Sequence, residues 1–266
     1  MTAAPAQMQP VPGATSVAAR TVLIGGLAAL GIGAYVSMRP EQPWILLLTT
    51  LMVALGTDGL VKSHPRWVDL RPIDSVVYAF LPALAVLGAG LFIDHAIESY
   101  ARQGMAMAAA VTVGLAAFGE YQTVDPGGRL YGPFRIFMAV ATYLVAFSFF
   151  TVIYSRDFDV PFAAAFVAGV SALLAMELLR EDRIVGRSSL LVGIAIGLTL
   201  GEFRAALYFY PLDGLLAGAL LLIAFYLATG IVHHILDRDL DLATAAEYVV
   251  VTAGAAAAVV AAKAIT

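Results

Sequence analysis

The chain has 266 residues, of which 61% are hydrophobic and only 13% charged, with a formal net charge of -4 and a mean hydropathy of +0.88. So few charges do not cover the surface of a water-soluble domain, and the two signs are mixed along the loops, which excludes a basic nucleic-acid surface. There is no cysteine and no asparagine, so disulfides, thiolate metal sites, thiol catalysis and N-glycosylation are excluded.

Residues 1–19 are rich in Ala, Pro and Gln and carry no charged side chain, a composition that predicts a disordered tail. Residues 20–266 read as a single transmembrane helical domain. Apolar stretches run from Arg20 to Ser37, Trp44 to Val61, Ser75 to Ile93, Gly104 to Tyr121, Phe134 to Tyr154, Pro161 to Leu179, Leu190 to Ala206, Leu212 to Ile235 and Ala243 to Ala262. Each approaches the roughly 20 residues that a helix needs to cross about 30 Å of hydrocarbon. Strands would need closure into a barrel and alternating segments of about ten residues, a pattern absent here. The expected fold is therefore all-α, a polytopic transmembrane helical bundle of about nine spans. The first span reads as retained rather than as a cleaved signal peptide, because the positive region before it is thin.

Nine spans place Arg20, Lys62, Arg66, Arg71, Arg129, Arg135, Arg180, Arg183, Arg187 and Arg238 on one side, and Arg39, Arg102, Arg156, Arg204 and Lys263 on the other. This asymmetry predicts a plasma (cytoplasmic) membrane protein with a cytoplasmic N-terminus and an external C-terminus. Small residues recur every fourth position in the terminal spans: Gly25, Ala29 and Gly33 in the first, Gly254, Ala258 and Ala262 in the last. Such stripes let helix backbones approach closely, within the chain or across a dimer.

Part of the sequence repeats. Gly119-Glu120-Tyr121, Leu130-Tyr131-Gly132-Pro133 and Arg156-Asp157-Phe158-Asp159 are echoed by Gly201-Glu202-Phe203, Leu207-Tyr208-Phe209-Tyr210-Pro211 and Arg238-Asp239-Leu240-Asp241. The candidate units, 104–182 and 186–266, lie three spans apart and so run in opposite directions, the inverted arrangement of many secondary transporters. A fainter echo runs from Gly56-Thr57-Asp58 to Asp94.

An ionisable side chain inside a span is expensive and is a functional candidate for that reason. Asp58 follows Thr57 near the end of the second span and is too short to reach far toward the interface. Glu120 and Glu202 hold equivalent repeat positions, each between a glycine and an aromatic ring, which places them at opposite membrane faces. Arg204, two residues beyond Glu202, lies on a different helical face and is expected to reach headgroups beside Tyr208 and Tyr210. Glu177, Arg180, Glu181 and Arg183 close the sixth span at spacings that suit a salt-bridged helix end facing the cytoplasm. His233 and His234, with Asp237 four residues beyond His233, suit an interfacial histidine pair rather than a metal site, since no third ligand and no H-E-x-x-H are present. Asp159, before Val160-Pro161, and Asp241, before Leu242-Ala243, are expected to cap helices.

His233 with Asp237 matches only the last element of the CAAX-type intramembrane proteases. The paired glutamates and the F-x-x-x-H element are missing. The aspartates at 237, 239 and 241 are too closely spaced for a UbiA-type prenyltransferase. Three functions remain. A transporter or permeation protein with an intramembrane acidic site, using Asp58, Glu120 and Glu202, is the leading expectation because it alone uses the repeat. An intramembrane enzyme acting on a lipid or isoprenoid substrate would draw on Glu177, Glu202, Arg204, His233 and His234. A non-catalytic subunit of a larger membrane complex would need no such constellation. Expected partners are the lipid bilayer, other membrane proteins or a second copy of the chain. The sequence names no cofactor; His64, His95, His233 and His234 are the residues through which a haem or pigment would be held.

Overall fold

A segment that is apolar on every face has no water to satisfy its peptide groups in hydrocarbon, so it winds into a helix that bonds to itself. The computed structural model describes residues 14–38, 40–69, 76–98, 100–156, 158–180, 187–210, 212–237 and 241–265. Among them are nine long α-helices and no strand: α1 (Ala14–Ser37), α2 (Pro43–Val61), α3 (Phe80–Ala96), α4 (Ala101–Thr123), α5 (Tyr131–Ser155), α6 (Val160–Leu179), α7 (Arg187–Leu207), α8 (Gly214–Asp237) and α9 (Leu242–Ile265). Each helix contains a stretch long and apolar enough to cross a membrane. The expectations for Arg39, Arg71, Asp157, Glu181, Arg183, Arg238, Asp239 and the first thirteen residues lie outside the described residues.

The spans differ from expectation mainly at their starts. Helix α1 begins at Ala14, so residues 14–19 extend the first helix instead of belonging to a tail. The third span opens with a 3₁₀ turn, Val76–Ala79, before α3. Pro82 has no N–H to give to the Tyr78 carbonyl, which favours a tighter turn ahead of the regular helix. Proline also starts α2, as Pro43, and sits in the first turn of α6, as Pro161, where its missing donor costs nothing. Asp159 occupies the position before α6 as expected, but its side chain makes no capping bond. The capping aspartate is Asp213, whose Oδ1 accepts from the Leu216 N–H at 2.9 Å.

Successive helices run antiparallel, so the bundle has a proximal end, where α1 starts, and a distal end, where it finishes. The core is formed by large side chains with almost no exposure, including Ile32, Leu46, Leu81, Phe149, Phe150 and Phe225. Leu30, Leu47, Ile136 and Leu198 point outward instead, as lipid-facing residues do. Hydroxyls along the helices are mostly satisfied on their own turn: Thr49, Thr142, Ser148 and Thr229 each donate to the carbonyl four residues back.

The closest helix pair is α6 with α7. Gly193, Gly197 and Gly201 of α7 lie along Ala164, Ala168 and Ala172 of α6, and a Cβ added at Gly201 would meet the Ala164 carbonyl oxygen at 2.8 Å. Gly197 has even less room against Ala168. In α1 the stripe expected to approach a neighbour does so at Gly25, whose Cα would lie 3.4 Å from a Cβ added at Gly114 of α4. Helix α9 is the opposite case, with no residue of its apolar stretch Ala246–Lys263 buried.

Candidate functional site

At the proximal end, four charged side chains from three helices meet inside the bundle. Glu120 comes from the last turn of α4, Arg135 from the first turns of α5, Glu177 from the last turn of α6, and Arg180 follows α6 directly. Glu120 and Glu177 are 0% and 1% exposed and Arg135 is 6% exposed. Arg180 is the hub: Nη1 donates to Glu120 Oε2 at 2.8 Å and Nη2 lies 3.0 Å from Glu177 Oε1. Nη2 also donates to Thr123 Oγ1 at 3.1 Å. Arg135 Nη1 approaches the same Glu177 oxygen at 3.5 Å, and its Nη2 donates to the Leu178 carbonyl. The Tyr78 ring closes the other side, 4.1 Å from the Arg180 guanidinium.

Two carboxylates and two guanidiniums sum to zero, which is how charge survives burial. Burial works against the Arg180 charge, but Glu120 and then Glu177 outweigh it and hold its pKa above the ordinary arginine value. Their other oxygens, Glu120 Oε1 and Glu177 Oε2, are buried and meet no hydrogen-bond donor among the described residues. The i,i+3 pair Glu177–Arg180, expected to salt-bridge at the helix end, does so at 3.0 Å, and the pair is also buried against Glu120, which the sequence places 60 residues away. Arg135, expected at the cytoplasmic start of the fifth span, is likewise an interior residue.

The remaining carboxylates do not join this network. Asp58 pairs with Lys62 on the next turn at 2.6 Å, at the partly exposed end of α2, so its charge is matched locally. Beside it, Arg66 pairs with Asp125 at 2.7 Å, and the His64 ring stands edge-on to Tyr121. His64 Nδ1 accepts from the Arg66 N–H, and its pKa is lowered by burial first, then by Arg66, against an opposing pull from Asp125. Glu202 is exposed near the distal end of α7, far from Glu120 at the proximal end of α4. Of Asp58, Glu120 and Glu202, only Glu120 lies in this network among the described residues, and the carboxylate beside it is Glu177.

At the distal end stands Arg204. It was expected among headgroups beside Tyr208 and Tyr210, but it is only 4% exposed and lies 4.5 Å from the ring of Tyr154. The Tyr154 hydroxyl lies 3.1 Å from the Leu207 carbonyl oxygen and 2.7 Å from that of Tyr210, so the ring is anchored through its hydroxyl to the end of α7 and the turn after it. A cleft of about 880 Å³ opens over this pair at the ends of α5 to α8.

His233 and His234 stack edge to face near the proximal end of α8, with the His234 ring 5.5 Å from Tyr248 of α9. The Asp237 side chain lies outside the described residues. Glu177, Glu202, Arg204, His233 and His234, the expected enzyme constellation, are split between the two ends: Glu177 and the histidines lie proximally, Glu202 and Arg204 distally. Among the described residues no three histidine or carboxylate side chains come together as a metal-holding group.

No curated protein and no solved structure matches the chain. A family model described as Protein of unknown function (DUF5656) matches residues 24–262, from within the first span to within the last. The chain belongs to that family.

Proposed function

We propose that the chain is a multi-pass transport or permeation protein in which the proximal network is the intramembrane acidic site, with Glu120 and Glu177 as the groups that exchange with the permeating ion. The supporting observation is that both carboxylates are buried among guanidiniums while each keeps one oxygen without a donor among the described residues. A network built only to lock helices together would satisfy those oxygens, whereas ionisable groups held inside a membrane bundle mark ion and proton pathways. The excess of Arg and Lys at the proximal end favours a cytoplasmic location for it in the plasma membrane. The inverted repeat, with its units three spans apart, fits the same reading.

The test uses protons as the probe. Purified chain is reconstituted in vesicles loaded with a pH-sensitive dye, and a pH step is applied with valinomycin and potassium holding the potential. The expected result is faster decay than in protein-free vesicles, slowed at least tenfold by Glu120→Gln with the variant still folded. Equal decay in wild-type, variant and empty vesicles, with sodium and chloride gradients equally inert, removes the reading. A second reading, a subunit of a larger complex, is favoured by α9, whose apolar stretch has no buried residue. Co-purifying chains in native mass spectrometry of gently extracted membranes would select it.

A further inference from the structure

Arg204 poses a problem that the proximal network does not. Its Nε and Nη1 atoms are buried and meet no hydrogen-bond acceptor among the described residues. Tyr154 covers a face of the guanidinium, but a ring face accepts no in-plane N–H bond, so the donors remain to be used. Glu202 does not neutralise the charge, being exposed and two residues away on another face of α7. The two aspartates lining the cleft do not reach it either: Asp213 accepts the Leu216 N–H, and Asp159 heads α6. A buried guanidinium with unused donors is among the costliest groups a fold can keep, and an oxyanion is its geometric complement.

We propose that the distal cleft binds a singly charged oxyanion, a phosphodiester or carboxylate, on Arg204. Arg156 and Arg204 line the cleft together with Asp159 and Asp213, so the lining charges sum to zero, and a singly charged oxyanion on the buried Arg204 donors meets less repulsion from the two aspartates than a dianion does. The volume, about 880 Å³, exceeds what the anionic group alone fills, and Val160, Pro161 and Leu212 supply apolar wall, so the anion carries an organic remainder. The cleft sits at the span ends, at the height of lipid headgroups, beside Tyr208 and Phe158. The oxyanion comes either from a membrane lipid or from a solute entering at the same mouth. The inference is independent of the transport reading, because binding is scored without flux.

The full chain is purified in an uncharged maltoside detergent, and its thermal unfolding is followed while four probes are titrated. These are dioleoylphosphatidylglycerol, glycerophosphocholine, benzoate and, as the uncharged control, dioleoylglycerol. The expected result is a saturable rise in the wild-type midpoint with at least one oxyanion probe and none with dioleoylglycerol. Arg204→Gln weakens that binding at least tenfold, and Leu212→Trp, which adds bulk to the cleft from its apolar wall, weakens it likewise. Response to phosphatidylglycerol alone assigns the site to a lipid headgroup; response to the soluble probes assigns it to a solute, and both support the site. If no oxyanion shifts the wild type, or if folded Arg204→Gln and Leu212→Trp bind as the wild type does, the proposal is overturned.

Discussion

Arg180 and Arg204 are both largely withdrawn from water at span ends and both face a tyrosine ring, Tyr78 for one and Tyr154 for the other. Their surroundings then diverge. Arg180 meets Glu120, Glu177 and Thr123 within 3.1 Å, whereas two of the Arg204 nitrogens meet no acceptor among the described residues. A charge that the fold itself neutralises holds elements together. A charge left over is either a standing cost or a place for something else. The two ends of the molecule thus answer different questions, and the same substitution at each separates them.

The largest effect is expected at the hub. Arg180→Gln leaves two buried carboxylates facing only Arg135, and breaking a buried pair in this way costs about 3–5 kcal/mol. Unfolding by dodecyl sulfate titration in mixed micelles checks it, and adding Glu120→Gln to Arg180→Gln should recover part of the loss. At Arg204 the same change should cost less than about 1 kcal/mol in lipid-free detergent, or stabilise, because it removes a buried charge with no protein partner. Equal losses at the two arginines would break the comparison.

The smallest effect belongs to the exposed rim beside the proximal network. His64 has a lowered pKa in the fold, so its neutral form is the favoured one, and that contribution is complete above the unfolded value of 6.5. It is lost as pH falls from there through the lowered folded value, since protonation also removes the acceptor used by the Arg66 N–H. His64→Gln should flatten the dependence of the unfolding midpoint between about pH 7 and 5. A wild-type midpoint that rises on acidification through that window would contradict the sign.

The spans were legible because hydropathy over twenty residues is a local property: each expected stretch overlaps a helix, and the errors fall at ends such as Ala14 and Val76, where proline and tail composition decide. The proximal network was only half legible. Glu177 and Arg180 are neighbours on one helix and were found as a pair, but nothing in the order of residues says that Glu120 and Arg135 complete it. That step depends on how α4, α5 and α6 turn about their axes. Asp58 shows the converse: its partner, Lys62, stands one turn on in the same helix, so the pair was there to be found in the order of residues. Arg204 had the right height and the wrong depth, because the ring that shelters it belongs to Tyr154, two helices earlier.

The seam between α6 and α7 carries a further consequence. Glycine and alanine have no side-chain rotamers to freeze, so docking Gly193, Gly197 and Gly201 against Ala164, Ala168 and Ala172 loses no side-chain conformational entropy. The pair is held by van der Waals contact between backbones, and its attraction is undiminished by salt or pH. Whatever conformational change the two ends undergo, α6 and α7 are the pair most suited to move as one piece.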